Sequence, residues 1–245
     1  METYEVLDVK LRPELAGVCA LAVMAKAPRV GKVKTRLAPV LGFEGSAAIN
    51  VCFLRDTARN IAGIAGGTGL VCYTPVGDEA AFDGILPEGF ALIAQRGDGF
   101  GERLLAAASD ILACGYGAVC LIDSDSPTLP AAALEMAVHS LMRGGDRVVV
   151  GASEDGGYYL IGMKRAHAEV FEGIAWSTAS VYRETVSRVR DAGLELVELP
   201  VWYDVDDAAS LKVLEEELVE GKRPPFAEMD GYAAEATREF LRGRP

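Results

Sequence analysis

The sequence predicts an α/β fold, a three-layer α/β/α sandwich with a mainly parallel central sheet. Short apolar runs bounded by glycine recur along the chain, as expected of strands that are covered on both faces. Helical stretches separate most of these runs, which favours parallel strands joined by crossovers. The chain has 245 residues, of which 50% are hydrophobic, and no linker-like change in composition divides it. We therefore expect one domain over residues 1–245, with a core at about 18–220 and a helical tail at 224–245.

The predicted elements follow one another in chain order. Residues 1–16 have a mixed pattern and are expected to form an appendage. Strands are predicted at 18–25, 69–74, 91–95, 117–122, 147–151, 158–163 and 195–199. Helices are predicted at 45–65, up to about 113, at 131–142, up to about 193, from about 211 onward and at 231–242.

Charge and composition argue against several classes of protein. The chain has 24 Lys and Arg against 36 Asp and Glu, and a net charge of −12 is not that of a nucleic-acid binder. The first six residues lack the basic start and apolar core of a secretory signal, and no apolar run reaches the roughly 18 residues of a membrane span. Five cysteines without a C-x-x-C pair predict buried, reduced thiols in a cytoplasmic protein. Two histidines give little support to a zinc site or a histidine-based triad.

The central motif is a predicted buried strand that runs into two carboxylates, Asp123 and Asp125. If the strand continues through them, their side chains project to the same side, and Pro127 ends the pairing. The carboxyl end of a central parallel strand is where open α/β sheets bind ligands. Two hard oxygen donors there suit a divalent cation such as Mg²⁺, shared with substrate phosphates. The alternative is that both aspartates only make side-chain turns into the following helix.

A second motif follows the first strand, where residues 26–39 hold five of the 24 basic residues. Such crowding of charge is unfavourable unless an anion binds there. Gly31 lets the backbone approach closely and Arg36 offers a planar donor fork, so a triphosphate or pyrophosphate is the expected ligand, with Lys26 and Lys34 as further contacts. The segment matches neither a Walker A loop nor G-x-G-x-x-G. The alternative is a solvated loop that makes surface ion pairs.

Three further polar turns each have two interpretations. The glycines around Gly99 could expose amide donors to an anion or a base at a helix start, or they could simply make turns. Asp155, which two glycines follow, could bind a sugar or an acceptor, or it could belong to a tight turn. Asp206 or Asp207 could have no role beyond capping the helix that follows.

Six sequence blocks occur in order over roughly residues 18–215. They are A-K-A-P at 25–28 with G-x-x-K-T-R-L-A-P at 31–39, G-D-G at 97–99 with G-E-R at 101–103, D-S-P at 125–127, D-G-G-Y-Y-L-I-G at 155–162, W-S-T at 176–178 and D-V-D at 204–206. Together they resemble the nucleotide-diphospho-sugar transferase superfamily with the glycosyltransferase A fold, and in particular its radical-SAM/selenodomain-associated transferase branch. The block at 155–162 is the most specific.

The resemblance implies a metal pair of Asp125 and Asp206. In related nucleotidyltransferases, the aspartate before a proline at the end of the central strand holds the metal together with a polar residue of a late turn. It also implies that Lys34 and Arg36 hold the phosphates, and we take these two with Asp155 as the candidate catalytic residues. Asp123 departs from the family pattern and is a second candidate for the cofactor site. The implied cofactor is Mg²⁺ or Mn²⁺.

The expected function is that of a metal-dependent transferase acting on a nucleoside triphosphate or a nucleotide-sugar. Nucleotidyl transfer onto a small phosphorylated acceptor is favoured, because the basic loop resembles the phosphate loop of nucleotidyltransferases. A glycosyltransferase with a nucleotide-sugar donor is one alternative, and fold analogy alone does not separate the two. A nucleotide-binding module without turnover is the other. Neither a nucleic acid nor a membrane is an expected partner, and the oligomeric state is left open.

Overall fold

The computed structural model describes residues 4–244. Residues 1–3 and 245, at the ends of the predicted domain, lie outside the described residues. Residues 1–3 are also the first half of the six-residue segment that lacks the features of a secretory signal. Within residues 4–244 the chain forms eight strands: β1 (Glu5–Val6), β2 (Cys19–Lys26), β3 (Gly67–Thr74), β4 (Ala91–Ala94), β5 (Ala118–Ile122), β6 (Arg147–Ser153), β7 (Tyr158–Met163) and β8 (Glu195–Trp202). Its α-helices are α1 (Ala38–Ala62), α2 (Phe100–Ala113), α3 (Ala131–Met142), α4 (Val181–Asp191), α5 (Ala208–Leu218) and α6 (Glu235–Arg242).

All eight strands form one sheet in the order β1-β4-β3-β2-β5-β7-β6-β8. Every neighbouring pair is parallel except the two that involve β7, which runs antiparallel to β5 and to β6. Only residues 154–157 separate β6 from β7, and so short a connection joins antiparallel neighbours, because a parallel pair needs a crossover. The prediction of a mainly parallel sheet is confirmed.

The sheet carries apolar side chains on both faces. Along β2, Leu21 and Val23 belong to one hydrophobic cluster, while Ala20 and Ala22 belong to another. The first cluster includes apolar residues of α1, α3, α5 and α6, and the second includes those of α2 and α4. The alternation follows from the two-residue period of a strand, and it confirms the three-layer arrangement.

The N-terminal segment is not a mere appendage, so that prediction is wrong for residues 5–6. Glu5 pairs with Ala91 and Val6 with Leu92, which adds a parallel edge strand to the sheet. A strand of two residues is too short to show a periodic pattern in the sequence.

Helix α1 begins earlier than the predicted 45–65. Pro39 lies in its first turn, where the missing N–H costs nothing, and Gly42 interrupts the helical dihedrals with a φ of 70°. Among residues 4–244, Thr35–Ala62 is the one helical stretch long and apolar enough to cross a membrane by length and composition. Core helices of soluble proteins meet the same criterion, and Phe53 on this helix is completely buried in the core.

The five cysteines are all free thiols. Four of them are buried and Cys52 is half-buried, which agrees with the prediction of reduced core thiols.

Candidate active site

One crevice opens at the carboxyl ends of the central strands. It consists of two cavities, of about 460 Å³ and 850 Å³, that share Met24, Arg36, Phe100 and Asp206 in their walls. Crossover topology places ligand sites at this edge of an open α/β sheet. The structure therefore brings Arg36, Asp125 and Asp206 to the same crevice, as the resemblance required.

The two cavities differ in charge. We call the smaller one the basic half, because its wall contains five basic side chains and two acidic ones: Lys26, Lys32, Lys34, Arg36 and Arg103 with Asp125 and Asp206. We call the larger one the acidic half, because its wall contains six carboxylates and one basic side chain: Asp123, Glu154, Asp155, Asp204, Asp206 and Asp207 with Arg36. The net charge of the lining thus changes sign along the crevice.

The loop after β2 places Lys34 between the ends of β5 and β8. Gly31 has a φ of 72° and Lys34 a φ of 45°. Both values lie in the left-handed region, which residues other than glycine rarely adopt. The Lys34 side chain is only 4% exposed. Its ammonium lies 2.8 Å from Asp125 Oδ1 and donates hydrogen bonds to Asp206 Oδ1 at 2.9 Å and Val205 O at 2.7 Å.

These contacts decide the charge of Lys34. Burial by itself would lower its pKa, but the charges and hydrogen bonds of Asp125 and Asp206 outweigh burial, so the pKa is raised. Lys34 is accordingly a buried ammonium ion at neutral pH. The surface-loop alternative therefore fails for Lys34. The surface-loop interpretation does describe Arg29, which is largely exposed and pairs with Asp78.

The end of β5 separates the two aspartates of the central motif. The strand stops at Ile122, so the condition under which Asp123 and Asp125 would project to the same side is not met. Asp123 makes the side-chain turn: its Oδ1 accepts from the Asp125 N–H at 3.2 Å and its Oδ2 from the Ser126 hydroxyl at 2.8 Å. Burial raises the pKa of Asp123 well above its usual range, and the charges of Asp125 and Asp204 add to the shift. Asp125 faces Lys34 instead.

The turn before α5 contains two neighbouring aspartates with different contacts: one caps the helix and the other binds Lys34. Asp207 is the N-cap, since its Oδ1 accepts from the N–H groups of Ala209 at 2.9 Å and Ser210 at 3.0 Å. Asp206 points to the crevice. The Val205 N–H donates to Asp125 O at 2.9 Å, and this bond ties the turn to the end of β5. Asp125 and Asp206 meet for this reason, and their role as metal ligands remains a prediction.

The residues around this meeting point fit a divalent cation. Two carboxylates converge there on one cationic atom, the Lys34 ammonium. Within residues 4–244, neither Asp125 Oδ2 nor Asp206 Oδ2 accepts a hydrogen bond, and Arg36 Nη1 lies 3.8 Å from the latter. In the same range no three His, Cys, Asp or Glu side chains gather as a metal site, so bound phosphates or water would complete the coordination.

Asp155 belongs both to a turn and to the crevice wall. Its Oδ1 accepts from the Gly157 N–H at 2.8 Å in the β6–β7 connection, which is the tight-turn interpretation. It also lines the acidic half. Gly156 has a φ of 91°, and a Cβ there would lie 2.2 Å from Ala179 O, so the block at 155–162 needs glycine for close packing.

Of the remaining predicted residues, one lines the crevice and two do not. Lys26 lines the basic half. Gly31 shapes the loop but is not in the wall of either cavity. Gly99 is also outside both walls: it is the N-cap of α2, and its N–H donates to Glu102 Oε2 at 3.3 Å. The turn interpretation therefore describes Gly99, while the next residue, Phe100, reaches the crevice.

Several wall residues were not singled out from the sequence. Phe100 and Trp176 meet edge to face with their ring centres 5.3 Å apart, and both line the acidic half. The buried Tyr158 hydroxyl, in the same wall, has no hydrogen-bond partner among the described residues. Asp204 accepts from the Ser153 hydroxyl at 2.7 Å. The blocks at 155–162, 176–178 and 204–206 contain Tyr158, Trp176 and Asp204, so the blocks were the available signal.

The fold and the crevice define the class of protein: an α/β/α sandwich with a ligand crevice at the carboxyl ends of its central strands. The chain is 32% identical to a protein from Desulfovibrio desulfuricans G20 whose crystal structure carries the provisional name nucleotide-diphospho-sugar transferase. The match covers 91% of this chain and 96% of that one, with a TM-score of 0.77. The chain belongs to the nucleotide-diphospho-sugar transferase superfamily. The radical-SAM-associated branch remains a prediction.

Other comparisons agree on the fold. A nucleotidyl transferase from Methanothermobacter thermautotroptrophicus is 15% identical with a TM-score of 0.53, covering 84% of this chain and 99% of its own. CMP:2-keto-3-deoxy-manno-octonic acid synthetase, complexed with CTP, is 12% identical with a TM-score of 0.52, covering 84% and 100%. Residues 57–178 match the family described as uncharacterized protein conserved in bacteria (DUF2064). No curated protein sequence matches the chain.

Proposed function

We propose that the protein is a metal-dependent transferase that binds the phosphates of a nucleoside triphosphate or nucleotide-sugar in the basic half and its acceptor in the acidic half. The observation that carries the proposal is the change in charge along a single crevice. A phosphate chain needs cationic donors, whereas an acceptor needs groups that position and deprotonate a hydroxyl.

Several cationic side chains of the basic half can donate hydrogen bonds to phosphate. Within residues 4–244, Lys26 and Lys32 form no ion pair, and Arg36 is 73% exposed with one distant carboxylate partner. An arginine fork can bind two phosphate oxygens at once, and the charge developing at phosphorus is stabilised by fixed cations. Arg36 at the boundary of the two halves is well placed for that role.

The favoured reaction is nucleotidyl transfer. An acceptor hydroxyl oxygen forms a bond to the α-phosphorus, the bond from that phosphorus to the bridging oxygen breaks, and pyrophosphate leaves. The hydroxyl proton passes to a carboxylate of the acidic half, for which Asp155 is our candidate. Lys34 and Arg36 stabilise the phosphate oxygens. A divalent cation held by Asp125 and Asp206 would neutralise further negative charge on those oxygens.

The charge of the acidic half bears on the acceptor. The sequence favoured a phosphorylated acceptor, yet six carboxylates would repel a phosphate group at that position. An acceptor that presents hydroxyl groups or a cation to these carboxylates fits better, and any phosphate it carries would lie toward Arg36. The aromatic wall of Phe100, Tyr158 and Trp176 provides an apolar surface for a flat acceptor.

Glycosyl transfer is the second candidate. The same acidic and aromatic wall suits the sugar of a nucleotide-sugar donor, because carboxylates accept hydrogen bonds from sugar hydroxyls and aromatic rings pack against sugar faces. The leaving group would then be a nucleoside diphosphate, held by the same basic half.

Two measurements test these proposals in sequence. A thermal-shift screen of nucleoside triphosphates and nucleotide-sugars, with and without Mg²⁺ or Mn²⁺, identifies the donor, since a ligand of the folded state raises the melting temperature. Phosphorus NMR of reactions with candidate acceptors then separates the chemistries: released pyrophosphate indicates nucleotidyl transfer, and a released nucleoside diphosphate indicates glycosyl transfer. Equal nucleotide binding with and without metal, and no product, would favour a binding module.

A further inference from the structure

Lys34 occupies the point at which the two predicted metal ligands meet. Asp125 Oδ1, Asp206 Oδ1 and Val205 O all lie within 2.9 Å of its ammonium nitrogen. An ammonium group has three N–H donors, so these three oxygens use its full capacity. The ammonium also lies 5.6 Å from the centre of the Phe53 ring, which covers the same site.

A divalent cation that used both carboxylates would lie beside this ammonium. The two positive charges would repel each other strongly in so buried a place. If the ammonium moved away with no new partner, a buried charge would lose its compensation, which is also unfavourable. A phosphate group removes this conflict, because it offers the ammonium new oxygens. The basic half, whose wall includes Lys34, is where such a group would bind.

We propose that Lys34 is an internal counter-ion that couples metal binding to phosphate binding, an inference that rests on the function proposed above. Without substrate, Lys34 offsets part of the negative charge of Asp125 and Asp206 and weakens their affinity for a free divalent ion. When phosphates enter the basic half, the ammonium exchanges carboxylate for phosphate oxygens and frees the pair for the metal. Phosphate and metal then promote each other's binding.

The first test measures metal binding without any phosphate. Mn²⁺ is titrated into the full chain and followed by electron paramagnetic resonance. We expect Lys34→Met to bind Mn²⁺ about tenfold or more tightly than the wild type, because the competing ammonium is gone. Lys32→Met is the matched control. It removes the same charge from the same loop, but Lys32 is exposed and contacts neither carboxylate, so its Mn²⁺ affinity should change by about twofold at most.

A second variant guards against misfolding. Thermal melts show whether Lys34→Met is folded, and Lys34→Gln keeps an N–H donor for Val205 O if the methionine variant is not. Both variants should show the gain in Mn²⁺ affinity. Affinities equal to that of Lys32→Met would overturn the proposal.

The second test measures the coupling itself. Pyrophosphate is titrated by calorimetry with and without saturating Mg²⁺. The metal should raise pyrophosphate affinity more in the wild type than in Lys34→Met, and the metal–pyrophosphate equilibrium in solution cancels between the two proteins. The same increase in both would overturn the coupling. No pyrophosphate binding by the wild type would instead count against the proposed function, while the Mn²⁺ comparison would still decide whether Lys34 competes with a metal.

Discussion

The basic and acidic halves of the crevice are built from the chain in different ways. Four of the five basic side chains in the basic half come from one continuous stretch, residues 26–36, and Arg103 is the exception. The acidic half draws its carboxylates from three separate turns, after β5, after β6 and after β8. The difference teaches that a phosphate site can be recognised as a local cluster of charge, whereas the opposing acidic wall exists only once three strand ends are adjacent.

The two halves meet at Asp206, and its removal should have the largest effect. We expect Asp206→Ala to abolish Mg²⁺-dependent nucleotide binding, because it deletes one of two predicted metal ligands. Asp207→Ala is the neighbouring control: it should lose about 0.5–2 kcal/mol of stability as a lost N-cap and keep binding. Denaturant melts and nucleotide titrations at saturating Mg²⁺ measure both. If Asp206→Ala binds normally, the predicted metal site is wrong.

Asp155→Asn tests the chemical role of the acidic half. The amide can still accept the Gly157 N–H through its Oδ1, so the turn should survive. If Asp155 takes the acceptor proton, turnover should fall by about 10²–10⁴-fold while donor affinity stays unchanged. Steady-state rates with the donor found by the thermal-shift screen supply the measurement. An unchanged rate would leave Asp155 as a turn residue only.

Arg36→Ala tests the phosphate role of the basic half. Loss of one charge-assisted contact should weaken nucleotide binding by about 1.5–3 kcal/mol. Arg29→Ala is the matched control, since that guanidinium pairs with Asp78 and does not line either cavity. Isothermal titration distinguishes the two variants. Equal losses in both would indicate general electrostatic attraction, and no loss in either would return the loop to the solvated-surface interpretation.

Asp123→Asn should have the smallest effect, and it acts on stability. Burial and neighbouring charges raise the pKa of Asp123 in the folded state, so folding costs extra free energy that grows as the pH rises above the unfolded-state pKa of about 4 and is complete once the pH exceeds the raised pKa. We expect the variant to be more stable than the wild type at pH 7. The difference should shrink as the pH falls toward about 4, where the unfolded-state carboxyl is also protonated.

Urea melts across this pH range check the Asp123 prediction. A variant that is less stable at pH 7 would contradict it. Nucleotide binding at saturating Mg²⁺ should be unchanged in Asp123→Asn, and its loss would make Asp123 the metal ligand in place of Asp125.

Sequence periodicity located the elements that are long and regular. Helix α3 and strand β7 begin and end at the predicted residues, because their apolar patterns are bounded by proline or glycine and by charged residues. It did not reveal the direction of β7, which depends on the short β6–β7 connection, nor the edge strand β1. Both depend on pairing with distant residues.

By itself, the sequence determined the α/β class, the basic loop and the candidate aspartates, because apolar periodicity, charge clustering and turn-forming residues are local properties of the chain. Only the tertiary structure decided which of Asp206 and Asp207 contacts Lys34 and which caps α5, and that Lys34 lies between Asp125 and Asp206, about 90 and 170 residues further along the chain. The physical reason is that these choices depend on distances of a few ångströms between separate strand ends. A neighbouring aspartate caps a helix or meets a lysine according to where the fold directs its side chain.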